Sequence, residues 1–574
     1  MSTQKKIKRR TEISNTINHE LHPLLQRIYA SRGIASVAEL ERGLERLLPY
    51  HDLLGMELAL ELLAVAVMTQ QKILIVGDFD ADGATSCAVA IRALKSFGAE
   101  SVDYLVPNRF AFGYGLTPEL VEVAKKEFHP DVIVTVDNGI ANHAGVSAAK
   151  AAGIKVIITD HHLPADTLPL ADAIVNPNQP GDLFASKNMA GVGVIFYVML
   201  ALRRYLSEKN WFQQRGIPEP NMSRLLDLVA LGTVADVVAL DQNNRILVYQ
   251  GLRRIRAGHC IPGIAALLEI SGKNQSRLMA ADLGFAVAPR LNAAGRLDDM
   301  ALGIECLLTD DLSAAREMAK ILTDLNDERR IIESEMQEQA LHALKKIQPD
   351  SKPAHGICLF DADWHQGVIG ILAGRIKERL HRPVIAFALA NQTELKGSAR
   401  SIPGLHIRDV LADIAIKYPD LIGKFGGHAM AAGLTLARAS FEKFSQAFNE
   451  IVSNKLNQVD LQNTVLSDGE LASTDLSLEV AEVLREGGPW GQAFPEPIFD
   501  GVFAILEQRL VGSRHLKMTL GKENQTIDAI AFNVDLNQWP NYRCENINIA
   551  YRVDINEYRG KRSVQLIVEH IETA

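Results

Sequence analysis

Asp78, Asp80 and Asp82 stand within five residues of one another, directly after the mostly apolar run 72–77 (KILIVG). Carboxylates this close repel one another unless protons or cations neutralise them, so the spacing points to a metal site. The opening D-x-D-x-D-G is also that of an EF-hand loop. An EF-hand would need a bidentate Glu at its twelfth position, here Val89, and a helix before the loop, where this chain has a strand-like run. The remaining alternative, a solvated acidic turn, weakens as further groups of the same kind follow. Asp137 ends the run 131–136 (DVIVTV), Asp160, His161 and His162 follow 154–159 (IKVIIT), and Asp236 follows Gly232 in an apolar stretch over 225–240. Several carboxylates with one or two imidazoles and no thiolate favour a hard cation, Mn²⁺ or Mg²⁺. Their number exceeds what one ion needs and suggests two ions acting at phosphorus. His161 and His162 are adjacent, and in extended chain they would point opposite ways, one to metal and one to substrate phosphate.

These groups require a frame that brings distant segments together. From residue 72 the pattern alternates strands (72–77, 101–106, 131–136, 154–159, 172–175) with helices (84–97, 117–127, 141–152), which predicts a doubly wound, mostly parallel α/β sheet. Ligands of such sheets bind beyond the carboxyl ends of the strands, where the groups after 72–77, 131–136 and 154–159 fall, while Asp236 comes from a later helix-like stretch. The 574 residues allow about three or four domains. A net charge of −9 announces no nucleic-acid binder, although a basic groove can be hidden in such a sum. Five scattered cysteines without a CxxC pair read as reduced thiols and favour a cytoplasmic protein. No apolar run approaches the ~20 residues of a membrane span. The basic start MSTQKKIKRR lacks the apolar core of a signal peptide and reads as a disordered tail, with weak DNA contact as the alternative. Residues 11–70 read as helical.

Beyond the acidic motifs, Arg109 lies beside Phe110, Phe112 and Tyr114, a cation among stacking surfaces such as single-stranded DNA would use, or else aromatic packing under a glycine-rich turn. Arg290, Asn292 and Arg296 are read as a loop with Gly295, suited to phosphate. Residues 312–347 contain no Gly or Pro and are densely charged, predicting a single connecting helix of about 54 Å, too polar to be a core element. A second α/β unit, about 353–455, contains His365 in DADWHQG, Ser398 and Arg400 in LKGSARS, and Gly426, Gly427 and His428 in GKFGGHAMAAG. Glycines there would let backbone N–H groups approach an anion, with the polar side chains adding hydrogen bonds and charge. From about 464 five β-runs follow, fitting an OB-fold barrel, with a sandwich as the alternative.

The set DFDADG, VDNG, TDHH and GTVADVV resembles the four motifs of the DHH phosphoesterase superfamily. Val76 occupies a position where pyrophosphatase-like members carry His, so the resemblance is to the RecJ branch. It extends through FGGHAMAAGL, similar to the glycine-rich motif of the DHHA1 domain. The resemblance implies five segments: an N-terminal helical segment (1–70), a DHH catalytic domain (71–305), a connecting helix (306–350), a DHHA1 substrate-binding domain (351–460) and an OB-fold (461–574). It implies Asp80, Asp82, Asp137, His161 and Asp236 as ligands of two Mn²⁺ or Mg²⁺ ions, with His162, Asp78 and Asp160 as catalytic groups. Arg109, Tyr114, Arg290, Asn292, Arg296, His365, Ser398, Arg400, Gly426, Gly427 and His428 would bind substrate. The implied activity is 5′-to-3′ hydrolysis of single-stranded DNA by a monomer in recombinational and mismatch repair. The implied partners are single-strand binding protein and the RecQ helicase. The alternatives are a DHH-type phosphodiesterase of short oligoribonucleotides or cyclic dinucleotides, and a non-catalytic DNA-binding adaptor.

Overall fold

The computed structural model describes residues 5–11, 21–108, 114–347, 354–457 and 461–573. Its first strand, β1 (Lys6–Arg9), lies within the segment read as a disordered tail. Helices Pro23–Ala30 and Met56–Met68 follow, separated by short 3₁₀ turns, so this region is less helical than its sequence suggests. Ile28, Tyr29, Leu63 and Val67 bury themselves in the same core as the sheet that follows. Two short helices have too little apolar surface to hold together alone.

That sheet comprises β2 (Ile73–Val76), β3 (Val102–Leu105), β4 (Val132–Val136), β5 (Lys155–Thr159) and β6 (Ala173–Val175). All its pairings are parallel, in the order β3-β2-β4-β5-β6. The buried, mostly apolar runs of β2 and β4 suit it because both faces are covered. Ile73 and Ile75 join the core under helices Ala81–Ser96 and Gly191–Glu208, while Leu74 and Val76 join the core under Pro118–Glu127 and His143–Ala151. The chain leaves β2 to one side for β3 and returns on the other as β4, so the topological switch point lies between β2 and β4. Val76 pairs with Thr135 there, which sets DFDADG beside DNG.

Helix Leu312–Ile347 runs unbroken, as the absence of Gly and Pro predicts. It is more than a polar spacer: Ala315, Ala319 and Leu322 enter the core of the first α/β domain, and Met336 and Ala340 enter the core of the next. That domain is built on β7 (Ile357–Phe360), β8 (Val384–Leu389), β9 (Glu394–Arg400), β10 (Lys424–Gly427) and β11 (Ala431–Ala437), ordered β10-β11-β9-β8-β7. β12 (Thr464–Ser467) then pairs in parallel with β1. β13 (Phe499–Val511), β14 (His515–Lys522), β15 (Gln525–Ala531), β16 (Asn546–Tyr558) and β17 (Lys561–Thr573) close into a barrel, not a sandwich, in the order β13-β14-β15-β17-β16. Arg9 reaches Asp500 of the barrel at 2.7 Å. The basic start is thus used in part as a structural strap.

Candidate metal centre and nucleic-acid cleft

Asp80 caps helix Ala81–Ser96, its Oδ1 accepting the N–H groups of Asp82 (2.9 Å) and Gly83 (3.0 Å). A Cβ on Gly83 would lie 2.4 Å from the Asp78 carbonyl, so the tight exit from the acidic loop needs glycine. Asp82, 1% exposed, takes N–H bonds from Gly191 (2.6 Å) and Val192 (3.0 Å) at the start of helix Gly191–Glu208. Gly191 must be small, because a Cβ there would lie 2.6 Å from that of Asp137. At the end of β4, Asp137 adopts φ +60°. Asn138 Nδ2 ties the ends of β2 and β4 by donating to the carbonyls of Val76 (3.0 Å) and Val136 (2.9 Å). Asp236 terminates helix Leu226–Ala235. Gly232 lets that helix approach, since a Cβ would meet Thr85 Oγ1 at 2.2 Å and Asp82 Oδ1 at 2.9 Å.

These elements converge on His161. Its Nε2 lies 3.1 Å from Asp137 Oδ1 and 3.5 Å from Asp236 Oδ2. All three atoms are buried without a hydrogen-bond partner among the described residues. Orphaned donors and acceptors facing one another are costly unless something sits between them, and a divalent cation fits. The ligand atoms form three overlapping groups, each within 4.8 Å: Asp78, Asp80 and Asp137; Asp82, His161 and Asp236; Asp137, His161 and His162. The donor set of oxygens with imidazole suits Mn²⁺ or Mg²⁺, and it is larger than one ion needs.

Burial, then the neighbouring carboxylates, set the charge state. Burial and Asp236 push Asp82 up to about 7. Burial and Asp80 push Asp236 up to about 7, and Asp137 is raised well above the usual range by burial, Asp82 and Asp80. Burial and the neighbouring His162 lower His161, which favours the neutral, ligating imidazole. These raised carboxylates hold protons that the unfolded chain has lost. Their contribution to stability is therefore present below the ordinary value of 3.8 and fades as pH rises through about 7. A cation must displace the same protons. Mn²⁺ binding is accordingly expected to release protons near neutrality and to tighten between about pH 6 and 8, as calorimetry in buffers of different ionisation enthalpy would show. A pH-independent affinity would contradict this.

The two histidines do not point apart as extended chain would require: their rings lie 4.5 Å apart on one side of the cleft. Asp160 causes this by accepting the N–H groups of His161 (2.7 Å) and His162 (3.1 Å) with one oxygen, which curls the backbone. The same oxygen meets His162 Nδ1 at 2.7 Å, and the other accepts the Ile140 N–H at 2.9 Å. Burial opposes the Asp160 charge, but His162 and these bonds outweigh it and hold the carboxyl at about 2. Asp160 is thus committed to positioning and touches the cleft only through His162. His162 responds in kind: burial lowers it, yet Asp160 lifts it to about 9. Asn176 and Asn178, which the motif reading passes over, fix the carbonyls of His162 (2.9 Å) and His161 (2.6 Å). Their NPN turn after the strand read at 172–175 lies at the same sheet edge and was the available signal.

Tyr114 stands edge-on to His162 at 5.9 Å, its hydroxyl donating to the Asp137 carbonyl at 3.2 Å. From the second domain, exposed His428 stacks over His162 at 5.9 Å and 27°, just beyond Gly426 and Gly427 of β10. Arg400 donates to Ser398 Oγ at 3.1 Å, and a Cβ on Gly370 would lie 3.0 Å from both side chains. His365 Nδ1 accepts the Gly367 N–H at 3.2 Å, where Gly367 meets Arg296. Arg109 lies outside the described residues.

The segment 287–299 departs from the loop expected of it. Pro289 sits in the first turn of helix Ala288–Leu297, where a missing N–H costs nothing, and Gly295 is a packing glycine whose Cβ would strike the Phe79 carbonyl at 1.8 Å. Two of its three polar residues make hydrogen bonds within the fold. Asn292 Oδ1 accepts the Ala81 N–H at 2.8 Å, bracing the acidic loop. Arg290 is buried and donates to Thr323 Oγ1 at 3.0 Å on the connecting helix. Arg296 bridges the domains through the Gly367 carbonyl at 3.1 Å.

Residues 72–233 match the DHH family, N-terminal domain, residues 354–454 the DHHA1 domain and residues 467–570 the RecJ OB domain. The single-stranded-DNA-specific exonuclease RecJ of Salmonella typhimurium is 54% identical over 575 residues, spanning 100% of both chains. That of Escherichia coli is 54% identical over 569 residues, 98% of each. Thermus thermophilus RecJ in complex with Mn²⁺ superposes with a TM-score of 0.79 at 30% identity, over 100% of this chain and 80% of that one. Its Mg²⁺ complex gives 0.75 at 28% identity, over 100% and 78%. With three domain models matched in order and 54% identity to a RecJ spanning 100% of both chains, this chain belongs to the RecJ family.

Proposed function

We propose that this chain is a metal-dependent exonuclease that hydrolyses phosphodiester bonds of single-stranded DNA from the 5′ end, in recombinational and mismatch repair. The observation that carries the reading is the meeting of Asp137 Oδ1, His161 Nε2 and Asp236 Oδ2, buried and unpartnered among the described residues, beneath the His162–His428 contact between two domains. Asp80, Asp82, Asp137, His161 and Asp236 hold two Mn²⁺ or Mg²⁺ ions. When bound, the ions supply charge that activates water and stabilises an in-line displacement at phosphorus. His162, cationic near neutrality and oriented by Asp160, binds the scissile phosphate, and Asp78 helps position the attacking water. Ser398, Arg400, Arg296 and His428 receive the phosphates near the 5′ end, Tyr114 supports the terminal base, and the barrel guides the strand. The enzyme acts as a monomer in the cytoplasm with single-strand binding protein and the RecQ helicase as functional partners. Among the described residues no helix is long and apolar enough to cross a membrane.

Chelation followed by Mn²⁺ addition, on strands labelled at either end, tests the reading. Mononucleotide label should appear at once from the 5′ end, only after the metal is restored, and not from a blunt duplex. Release first from the 3′ end would overturn the polarity, and activity in excess chelator would overturn the metal requirement.

A further inference from the structure

Behind the acidic loop lies a second polar cavity of about 470 Å³, between the catalytic domain, helix Leu312–Ile347 and helix Ile369–Leu380. Its size falls in the range of small-ligand sites, roughly 300–1,000 Å³. Arg296, Arg329, Arg330 and Arg375 line it against a single carboxylate, Glu333. That carboxylate is already engaged, one oxygen with Arg375 Nε at 2.8 Å and the other with Arg329. Arg330 is exposed and touches Asp327 only at 3.5 Å. Arg375 also comes within 3.6 Å of Glu378, so against Glu333, Asp327 and Glu378 the four guanidiniums keep a surplus of one positive charge, in the form best matched to phosphate oxygens.

Phe285 stands at the mouth, 81% exposed, in the π-helical turn Leu283–Val287. The π turn lies directly before Pro289, at the start of helix Ala288–Leu297, and the Phe285 ring is left exposed there. An exposed ring beside guanidiniums is a stacking surface for a base, and such π-turns recur at functional sites. One lining residue, Asn292, accepts the Ala81 N–H at 2.8 Å and so links the cavity wall to the acidic loop.

We propose that this cavity binds the released nucleoside 5′-monophosphate on its way out, with the phosphate on Arg330 and Arg375 and the base against Phe285. The proposal rests on the exonuclease reading, since only that activity delivers such a product here. The same chemistry could instead serve a nucleotide within the strand, and the test separates the two. Binding of dAMP to the full-length enzyme is measured in EDTA, without turnover, so that a failure here is distinct from a failure of the nuclease reading. The wild type should bind dAMP, and Phe285→Ala or the pair Arg330→Gln/Arg375→Gln should weaken it by about tenfold, as loss of one or two charge-assisted hydrogen bonds or a stacking surface implies. Because Arg375 also braces Glu333, Arg330→Gln alone serves as the milder control and should weaken dAMP in the same direction. Under turnover the same variants should relieve inhibition by added dAMP and leave the KM for single-stranded DNA within about twofold of wild type. Wild-type enzyme that does not bind dAMP, or variants with unchanged dAMP affinity, would overturn the proposal. A raised KM for DNA with unchanged dAMP binding would assign the cavity to the strand.

Discussion

Asp137→Asn is expected to lower kcat/KM on single-stranded DNA by about 10³-fold, the scale of several kcal/mol of metal-derived stabilisation. Asn is the informative replacement because residue 137 sits at φ +60°, a region Asn tolerates and Ala does not favour. The change keeps the shape that packs against Gly191 and removes only the charge. Stability should move the other way. Asp137 is 2% exposed and faces Asp82, Asp80 and Asp236, so its ionisation strains the metal-free fold. In EDTA above neutral pH the variant should melt higher than wild type, and added Mn²⁺ should protect it less. A variant that loses activity and stability together would mean that Asp137 is a structural residue.

His162→Ala is expected to lower kcat by about 10²-fold or more, the usual contribution of a positioned imidazole, while Mn²⁺ affinity changes little. The geometry separates the two histidines by role although their rings share one side of the cleft. His161 Nε2 faces Asp137 and Asp236, whereas His162 is held by Asp160 and covered by His428. His161→Ala should therefore damage Mn²⁺ binding itself. Equal loss of Mn²⁺ affinity in both variants would contradict this division.

Much of the catalytic sheet was legible because parallel strands buried on both faces appear as uninterrupted apolar runs, and their carboxyl ends share one edge by topology. Asp80, Asp82, Asp137 and His161 share that edge; Asp236 ends a helix, and only the resemblance joined it to the ligand set. The connecting helix was legible because nothing between Leu312 and Ile347 interrupts it. Features set by distant partners were not legible. Lys6–Arg9 becomes a strand only because Thr464–Ser467 lies alongside it, and a basic tail carries no local sign of that pairing. Pro289 and Gly295 read as loop residues, yet one opens a helix and the other makes room for the Phe79 carbonyl. The turn that sets His161 beside His162 depends on which atoms the Asp160 carboxylate accepts, which spacing alone does not reveal.

Anomalous scattering from crystals of the full-length protein soaked in Mn²⁺ addresses the metal centre most directly. The expected result is two manganese peaks within the box formed by Asp80, Asp82, Asp137, His161 and Asp236, both absent from crystals of Asp137→Asn. Peaks elsewhere, or peaks in the box unaltered by that substitution, would contradict the assignment.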